Sequence, residues 1–230
     1  MSDPIVHDSA PVTLVGGGQA SVRDVEEALI HAPLLVAVDG GVSLALAAGH
    51  LPHAVIGDMD SAPPEALAQI PSDRQHRISE QQSTDFDKAL RNTRAPVVIG
   101  VGFLGARIDH QMAAMTVLVR RADRACVLLG EHEIVLACPP HLHLDTRAGE
   151  PVSLYPLSPV RGRSEGLNWP IDGIDFAPDG TVGTSNHALG PVELWMDGPG
   201  MLVIVPRRCL EQVVGFLAAQ GQSWSARPQT

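Results

Sequence analysis

The amino-acid sequence predicts an α/β fold: an N-terminal doubly wound, mainly parallel sheet followed by a C-terminal all-β sandwich. Three observations carry this expectation. Short apolar runs alternate with stretches of helical periodicity over residues 1–133. The leading runs break off into glycine and aspartate. From residue 134 the texture changes, and apolar runs are separated by Pro, Gly and Asp. The chain of 230 residues is 44% hydrophobic, enough for two modest domains with true cores and too apolar for disorder. The expected domains are 1–133, a Rossmann-like α/β part, and 134–230, the sandwich.

Each element has a local reason. Val12–Val15 is a strand that ends in Gly16-Gly17-Gly18. Ser21 and Asp24 form a weak capping box for a helix whose apolar stripe is Val22, Val25 and Leu29. Leu34–Val38 is a second strand, ending in Asp39-Gly40-Gly41, and a short helix from about Val42 closes at Gly49. Residues 54–56 form a third strand that opens into Gly57-Asp58-Met59-Asp60-Ser61. Pro63 and Pro64 suit a first helical turn, continued by 65–70. Residues 72–82 are polar, and no pattern assigns them. Thr84 is an N-cap, with Asp87 at the third helical position, for a helix over about 85–93. Residues 97–101 form a fourth strand ending in Gly102-Phe103-Leu104-Gly105; a helix over about 109–122 and a fifth strand, Cys126–Leu129, follow. In the second domain, 134–137, 152–155, 180–184, 192–196 and 202–205 read as strands and Leu210–Gln220 as a terminal helix.

Charge and cysteine usage narrow the function. The formal net charge is −10 with no basic run, a poor match for nucleic acid or an anionic membrane. An anionic substrate would be met locally, by metal ions and helix ends. No apolar run is long enough to cross a bilayer. Cys126, Cys138 and Cys209 form no disulfide framework, which fits a reducing compartment. Asp3 and Asp8 precede any basic stretch, so a secretory signal is not expected. The expectation is a soluble, cytoplasmic protein.

Three of the first four strands deliver polar motifs at their C-terminal ends, the edge where open α/β sheets bind ligands. On extended backbone Asp58 and Asp60 would face the same way. Converging carboxylates repel unless a cation lies between them, and hard oxygen donors suit Mg²⁺. A solvated acidic turn capping the following Pro-rich segment is the plainer alternative. Glycines 16–18, 40–41, 102 and 105 would let backbone N–H groups approach a phosphate, although neither G-x-x-x-x-G-K-[ST] nor G-x-G-x-x-G is present. Asp85 and Lys88 share a helix face, either as a surface ion pair or with Asp85 on a metal and Lys88 on a phosphate oxygen. Arg107 can hold a phosphoryl group through paired hydrogen bonds. Asp109 is a helix N-cap, a functional group, or both. His110 stays open between core filler, nucleotide contact and base. His141 and His143 can share a strand face, but no further metal ligand lies near in sequence. Trp169 is either packing or a platform for a cation.

Taken in order, Asp-Gly-Gly at 39–41, Gly-Asp-x-Asp-Ser at 57–61, Thr-Asp-x-x-Lys-Ala at 84–89 and Gly-x-x-Gly-x-Arg-x-Asp-His at 102–110 resemble the thiamine pyrophosphokinase family. Gly166-Leu167-Asn168-Trp169 and Thr184-Ser185-Asn186 extend the likeness into the second half. The resemblance implies transfer of a pyrophosphoryl group from ATP to the hydroxyethyl oxygen of thiamine, giving thiamine diphosphate and AMP. It places Asp58, Asp60 and Asp85 on Mg²⁺. It puts Asp39, Gly40 and Gly41, with Gly17, Gly18, Ser61, Thr84 and His110, around the nucleotide. Lys88 and Arg107 would stabilise charge on the transferring and leaving oxygens, and Asp85 or Asp109 would take the alcohol proton. Trp169 would stack on thiamine, with Ser185 and Asn186 nearby. Family members are homodimers with active sites at the subunit interface. Two positions depart from the pattern: Gln82 stands where Asp is common, and Ala106 replaces the second glycine of Gly-Gly-Arg, which argues against a positive φ there. The rival readings are another Mg²⁺-dependent Asp-x-Asp transferase and a non-catalytic sensor on the same fold.

Overall fold

The computed structural model describes residues 3–105, 107–220 and 223–225. It divides into two compact units, residues 1–117 with 128–130, and residues 118–127 with 131–230. The chain has a mixed α/β fold.

In chain order the first half contains β1 (Val6–His7), β2 (Val12–Val15), α1 (Val22–His31), β3 (Leu34–Val38), α2 (Val42–Ala47), β4 (Ala54–Gly57), α3 (Pro64–Leu67), β5 (Gln75–Arg77), α4 (Asp85–Arg91), β6 (Thr93–Arg94), β7 (Val98–Val101), α5 (Ile108–Arg120) and β8 (Cys126–Leu129). Within the first unit the strand order is β7-β2-β3-β4-β5, and every pairing in it is parallel. The chain builds outward from β2 to β5, then returns to place β7 on the other side of β2. Residues of β2, β4 and β7 are buried throughout, which is why their sequences are unbroken apolar runs rather than alternating ones. The capping box of α1 forms with both of its bonds, Ser21 to Asp24 and back. Thr84 caps α4 by accepting the Asp87 N–H at 3.2 Å.

Four elements of the first half differ from expectation. Residues 72–82 contain a strand, β5, parallel to β4 at the end of the array. Gln75 and His76 are half-buried and Arg77 is exposed, so no apolar run announces it. The two-residue strands β1 and β6 pair in parallel and are too short to leave a pattern. α5 begins at Ile108, so Asp109 lies inside its first turn and is not its N-cap.

The second unit carries β9 (Glu133–Ala137), β10 (His141–Leu144), β11 (Ser153–Pro156), β12 (Gly162–Leu167), β13 (Ala188–Met196), β14 (Met201–Pro206) and α6 (Leu210–Gln220). Its strands form two antiparallel arrays, β9-β14-β11 and β10-β13-β12. Residues 180–184 are not a strand. They make only isolated bridges, Leu154 to Gly183 and Phe176 to Thr181. Two strands that apolar runs did not mark, β10 and β12, occupy the flanks of the second array. β10 buries its leucines and half-exposes its histidines, and β12 is largely polar. Among the described residues no helix is long and apolar enough to cross a membrane.

Candidate active site

Because β2, β3, β4 and β7 are parallel, the loops that follow them emerge at one edge of the first unit. These loops touch through backbone. A Cβ at Gly41 would stand 1.9 Å from the Val15 carbonyl oxygen, so a side chain is excluded there. Gly102 has φ +77, and its Cβ would lie 2.6 Å from the Gly16 carbonyl. The Gly18 N–H donates to the Gly102 carbonyl at 3.0 Å. A cleft of about 540 Å³ opens at this edge. Of the residues expected at the site, Gly17, Gly18, Asp39, Gly40, Ser61, Thr84, Asp85, Arg107 and His110 line it. Ser43, Pro63, Phe86 and Phe103 also line it and were not anticipated. Ser43 lies one turn beyond Asp-Gly-Gly, and the rings of Phe86 and Phe103 pack at 4.3 Å between centroids. Ala106 lies outside the described residues.

Next to this cleft is an acidic cluster. Among the described residues, Asp39, Asp58 and Asp60 offer carboxylate oxygens that all lie within 4.8 Å of one another. The convergence of Asp58 and Asp60 does not come from an extended strand. β4 ends at Gly57, and Met59 turns with φ +64, so that the Asp60 N–H reaches Asp58 Oδ1 at 3.3 Å. Asp39 arrives from the end of β3, also with positive φ, +46. It is only 6% exposed, and its Oδ1 is buried with no hydrogen-bond partner. Burial, then the neighbouring Asp85 and Asp58 charges, push its carboxyl above the ordinary range. Among the described residues three non-glycine positions have positive φ: Asp39, Met59 and Ser185. All three fall in segments that sequence had marked as functional, where backbone strain tends to collect.

Asp85 is not in the trio. Its Oδ1 accepts from the Lys88 ammonium at 2.9 Å and from the Asp58 N–H at 3.3 Å. Lys88 also donates to Asp58 Oδ2 at 2.9 Å. This lysine is 1% exposed and does not line the cleft, so its ammonium serves two carboxylates rather than standing ready for a phosphate oxygen. The bond from Lys88 is the main cause of an Asp58 carboxyl held below its usual range. Burial alone would lower the Lys88 pKa, but the bonds to Asp85 and Asp58 outweigh it and the group sits above its ordinary value. Gln81, one residue before the Gln82 departure, places its amide nitrogen 3.4 Å from Asp58 Oδ2. Arg107 is paired with Asp109 at 2.6 and 3.1 Å, both side chains exposed.

The expected thiamine-contacting residues meet in the second unit. Asn186 is buried and grips the backbone of Trp169, donating to its carbonyl at 2.7 Å and accepting its N–H at 3.2 Å. The Trp169 indole is 57% exposed and stands edge-on to His187, 4.9 Å between centroids. Ser185 donates its N–H to Ser153 Oγ at 3.1 Å. Among the described residues His141 and His143 meet one carboxylate, that of Glu193. They bind the two oxygens of Glu193, at 2.6 and 2.7 Å.

A parallel sheet with loops converging on an acid-flanked cleft puts the candidate site at the edge where open α/β sheets bind ligands. Residues 25–129 match the family model described as thiamin pyrophosphokinase, catalytic domain. The chain is 25% identical over 190 residues to thiamine pyrophosphokinase 1 of Arabidopsis thaliana, an alignment covering 68% of this chain and 71% of that one. It is 28% identical over 154 residues to thiamine pyrophosphokinase 1 of Oryza sativa subsp. japonica, covering 59% and 58% respectively. Its fold matches the crystal structure of thiamin pyrophosphokinase from Geobacillus thermodenitrificans with a TM-score of 0.69, at 24% identity, over 85% of this chain and 96% of that one.

Proposed function

We propose that this protein is a thiamine pyrophosphokinase, using ATP as co-substrate to convert thiamine to thiamine diphosphate with release of AMP. The observation that carries the reading is the trio Asp39, Asp58 and Asp60 beside a cleft of nucleotide size, inside the segment that matches the catalytic domain.

The donor set suits Mg²⁺. Three hard carboxylates converge, and one of their oxygens, Asp39 Oδ1, is buried without a partner in the protein. Asp39, Asp58 and Asp60 would hold the ion, with Asp39 in the place first expected of Asp85. When bound, Mg²⁺ supplies neutralisation of the triphosphate charge. The chain does the rest. The glycine loops 16–18 and 40–41 let backbone N–H groups approach phosphate oxygens. Lys88 holds the Asp58 and Asp85 carboxylates in place and keeps Asp58 ionised. Arg107, at the cleft, offers its guanidinium to the departing AMP phosphate, exchanging Asp109 for it. The thiamine hydroxyl oxygen bonds to the β-phosphorus as the bond from that phosphorus to the α–β bridging oxygen breaks. The hydroxyl proton passes to a carboxylate, and Asp85 is our assignment, because it lines the cleft whereas Asp109 does not. Trp169 gives thiamine an aromatic face, a cation–π surface for the thiazolium. The finer reading includes a homodimer with its sites at the interface, Rossmann-like and sandwich domains at about 1–133 and 134–230, and a cytoplasmic location. The free, buried Cys126, Cys138 and Cys209 support a reducing compartment.

Purified protein with ATP, Mg²⁺ and thiamine should give AMP and thiamine diphosphate in equal amounts. ATP binding without any AMP in the presence of thiamine would overturn the assignment.

A further inference from the structure

Arg91 lies at the C-terminal end of α4, outside the cleft lining and outside every motif singled out in the sequence. Its guanidinium reaches back to the loop that precedes the same helix. Nη2 donates to Glu80 Oε1 at 3.1 Å, and Nη1 donates to Ser83 Oγ at 3.3 Å. The Ser83 hydroxyl in turn donates to that same Glu80 oxygen. Nη1 also stands 3.9 Å from the buried Asp87 carboxylate. Ser83, then Arg91, hold the Glu80 carboxyl below its usual range.

Residues between and just beyond these anchors reach the acidic cluster and the cleft. Gln81 donates to Asp58 Oδ2, Thr84 caps α4 and lines the cleft, and Asp85 supports the Asp58 backbone. Loop 80–84 therefore has two ties: one to Arg91 at its outer side, and one to Asp58 at its inner side. Residues 78–84, between β5 and α4, belong to no helix or strand. A short loop without its own ladder takes its conformation from such side-chain bonds.

We propose that Arg91 is a positioning residue for the cation- and nucleotide-binding acids. Through Glu80 and Ser83 it fixes loop 80–84, and so sets the Gln81 amide and the Asp85 carboxylate on Asp58. This rests on the kinase reading for its consequence in turnover, but its consequence for cation binding is independent of that reading.

The test measures Mn²⁺ binding by electron paramagnetic resonance on full-length protein without substrates, alongside KM values and thermal melting. Arg91→Ala should raise the Mn²⁺ Kd about tenfold, as loss of an outer support for metal ligands commonly does. The KM for ATP should rise by a similar factor, while the KM for thiamine stays within about twofold. Arg91→Lys, able to reach Glu80 without serving Ser83 as well, should fall between. If Arg91→Ala does not fold, Glu80→Gln should show the same weakening of Mn²⁺ binding. Wild-type Mn²⁺ affinity in the folded variants, with or without a lower melting temperature, would overturn the proposal. If the unaltered protein makes no thiamine diphosphate, the functional assignment falls while the Mn²⁺ result still decides the role of Arg91.

Discussion

Lys88 and Asp58 form a buried ion pair, Nζ to Oδ2 at 2.9 Å, and the same ammonium holds Asp85 at 2.9 Å. One cation thus ties the loop after β4 to the first turn of α4. Two carboxylates kept this close depend on it, since each raises the cost of ionising the other.

Replacing Lys88 with Met should leave that pair without its counter-ion. The cost in metal-free protein is expected to be about 3 kcal/mol, the usual penalty for removing one partner of a buried pair. Saturating Mg²⁺ should recover part of the loss, because a cation returns beside Asp58, the carboxylate common to the pair and the acidic cluster. Urea unfolding with and without MgCl₂ measures both quantities; equal destabilisation in the two conditions would refute the link between pair and cluster.

The pH dependence of stability follows from the same pair. Asp58 is held below 3.8, so its contribution is full above that value and is lost as pH falls through its lower folded-state pKa. Lys88 sits above 10.5, so its contribution is full below that value and is lost as pH rises through its higher folded-state pKa. Melting temperature against pH should show a plateau between these limits. In Asp58→Asn the acid limb should flatten.

Asp39 has the opposite sign. Its carboxyl is raised by burial and by neighbouring charge, so ionised Asp39 weakens the metal-free fold at neutral pH. Asp39→Asn should stabilise the metal-free protein, because the neutral amide removes a buried charge repelled by its neighbours. Turnover should be lost, as it should in Asp60→Asn. Denaturation and an AMP-release assay on the same preparations check the pairing of gain and loss.

Trp169 and Asn186 should separate cleanly. Trp169→Ala removes a largely exposed ring and should change stability by less than about 0.5 kcal/mol. Its KM for thiamine should rise about tenfold, the scale of a desolvated cation–π contact, with the KM for ATP unchanged. Asn186→Ala leaves the Trp169 N–H and carbonyl without their partner and should cost about 2 kcal/mol. Steady-state kinetics varying each substrate, with melting curves, distinguish the two.

These predictions rest on features of unequal visibility in the sequence. β2, β3, β4 and β7 were legible because mostly buried parallel strands leave unbroken apolar runs. β5 was not, because a strand of Gln75, His76 and Arg77 has no apolar face to report. Residues 180–184 carried the spacing of a strand but pair only through isolated bridges, a tertiary outcome that local composition does not encode. At the site, Asp58 and Asp60 were visible as neighbours, yet the left-handed turn at Met59 that brings them together was not. Lys88 and Asp85 were legible as helix neighbours. Asp39 and Asp58, and Lys88 and Asp58, meet only when separate elements are brought side by side, and their proximity is invisible to any local window. Arg107 and Asp109 were read separately, and neither their ion pair nor the start of α5 between them was anticipated.

The backbone contact between Gly18 and Gly102 has a bearing on how this cleft can change. Two loops that share a wall cannot drift one at a time: a side chain added to either would push into the other. Variation in substrate preference, natural or selected in the laboratory, is therefore expected at rim positions such as Ser43 and Pro63, while the glycine floor persists as a single inherited unit.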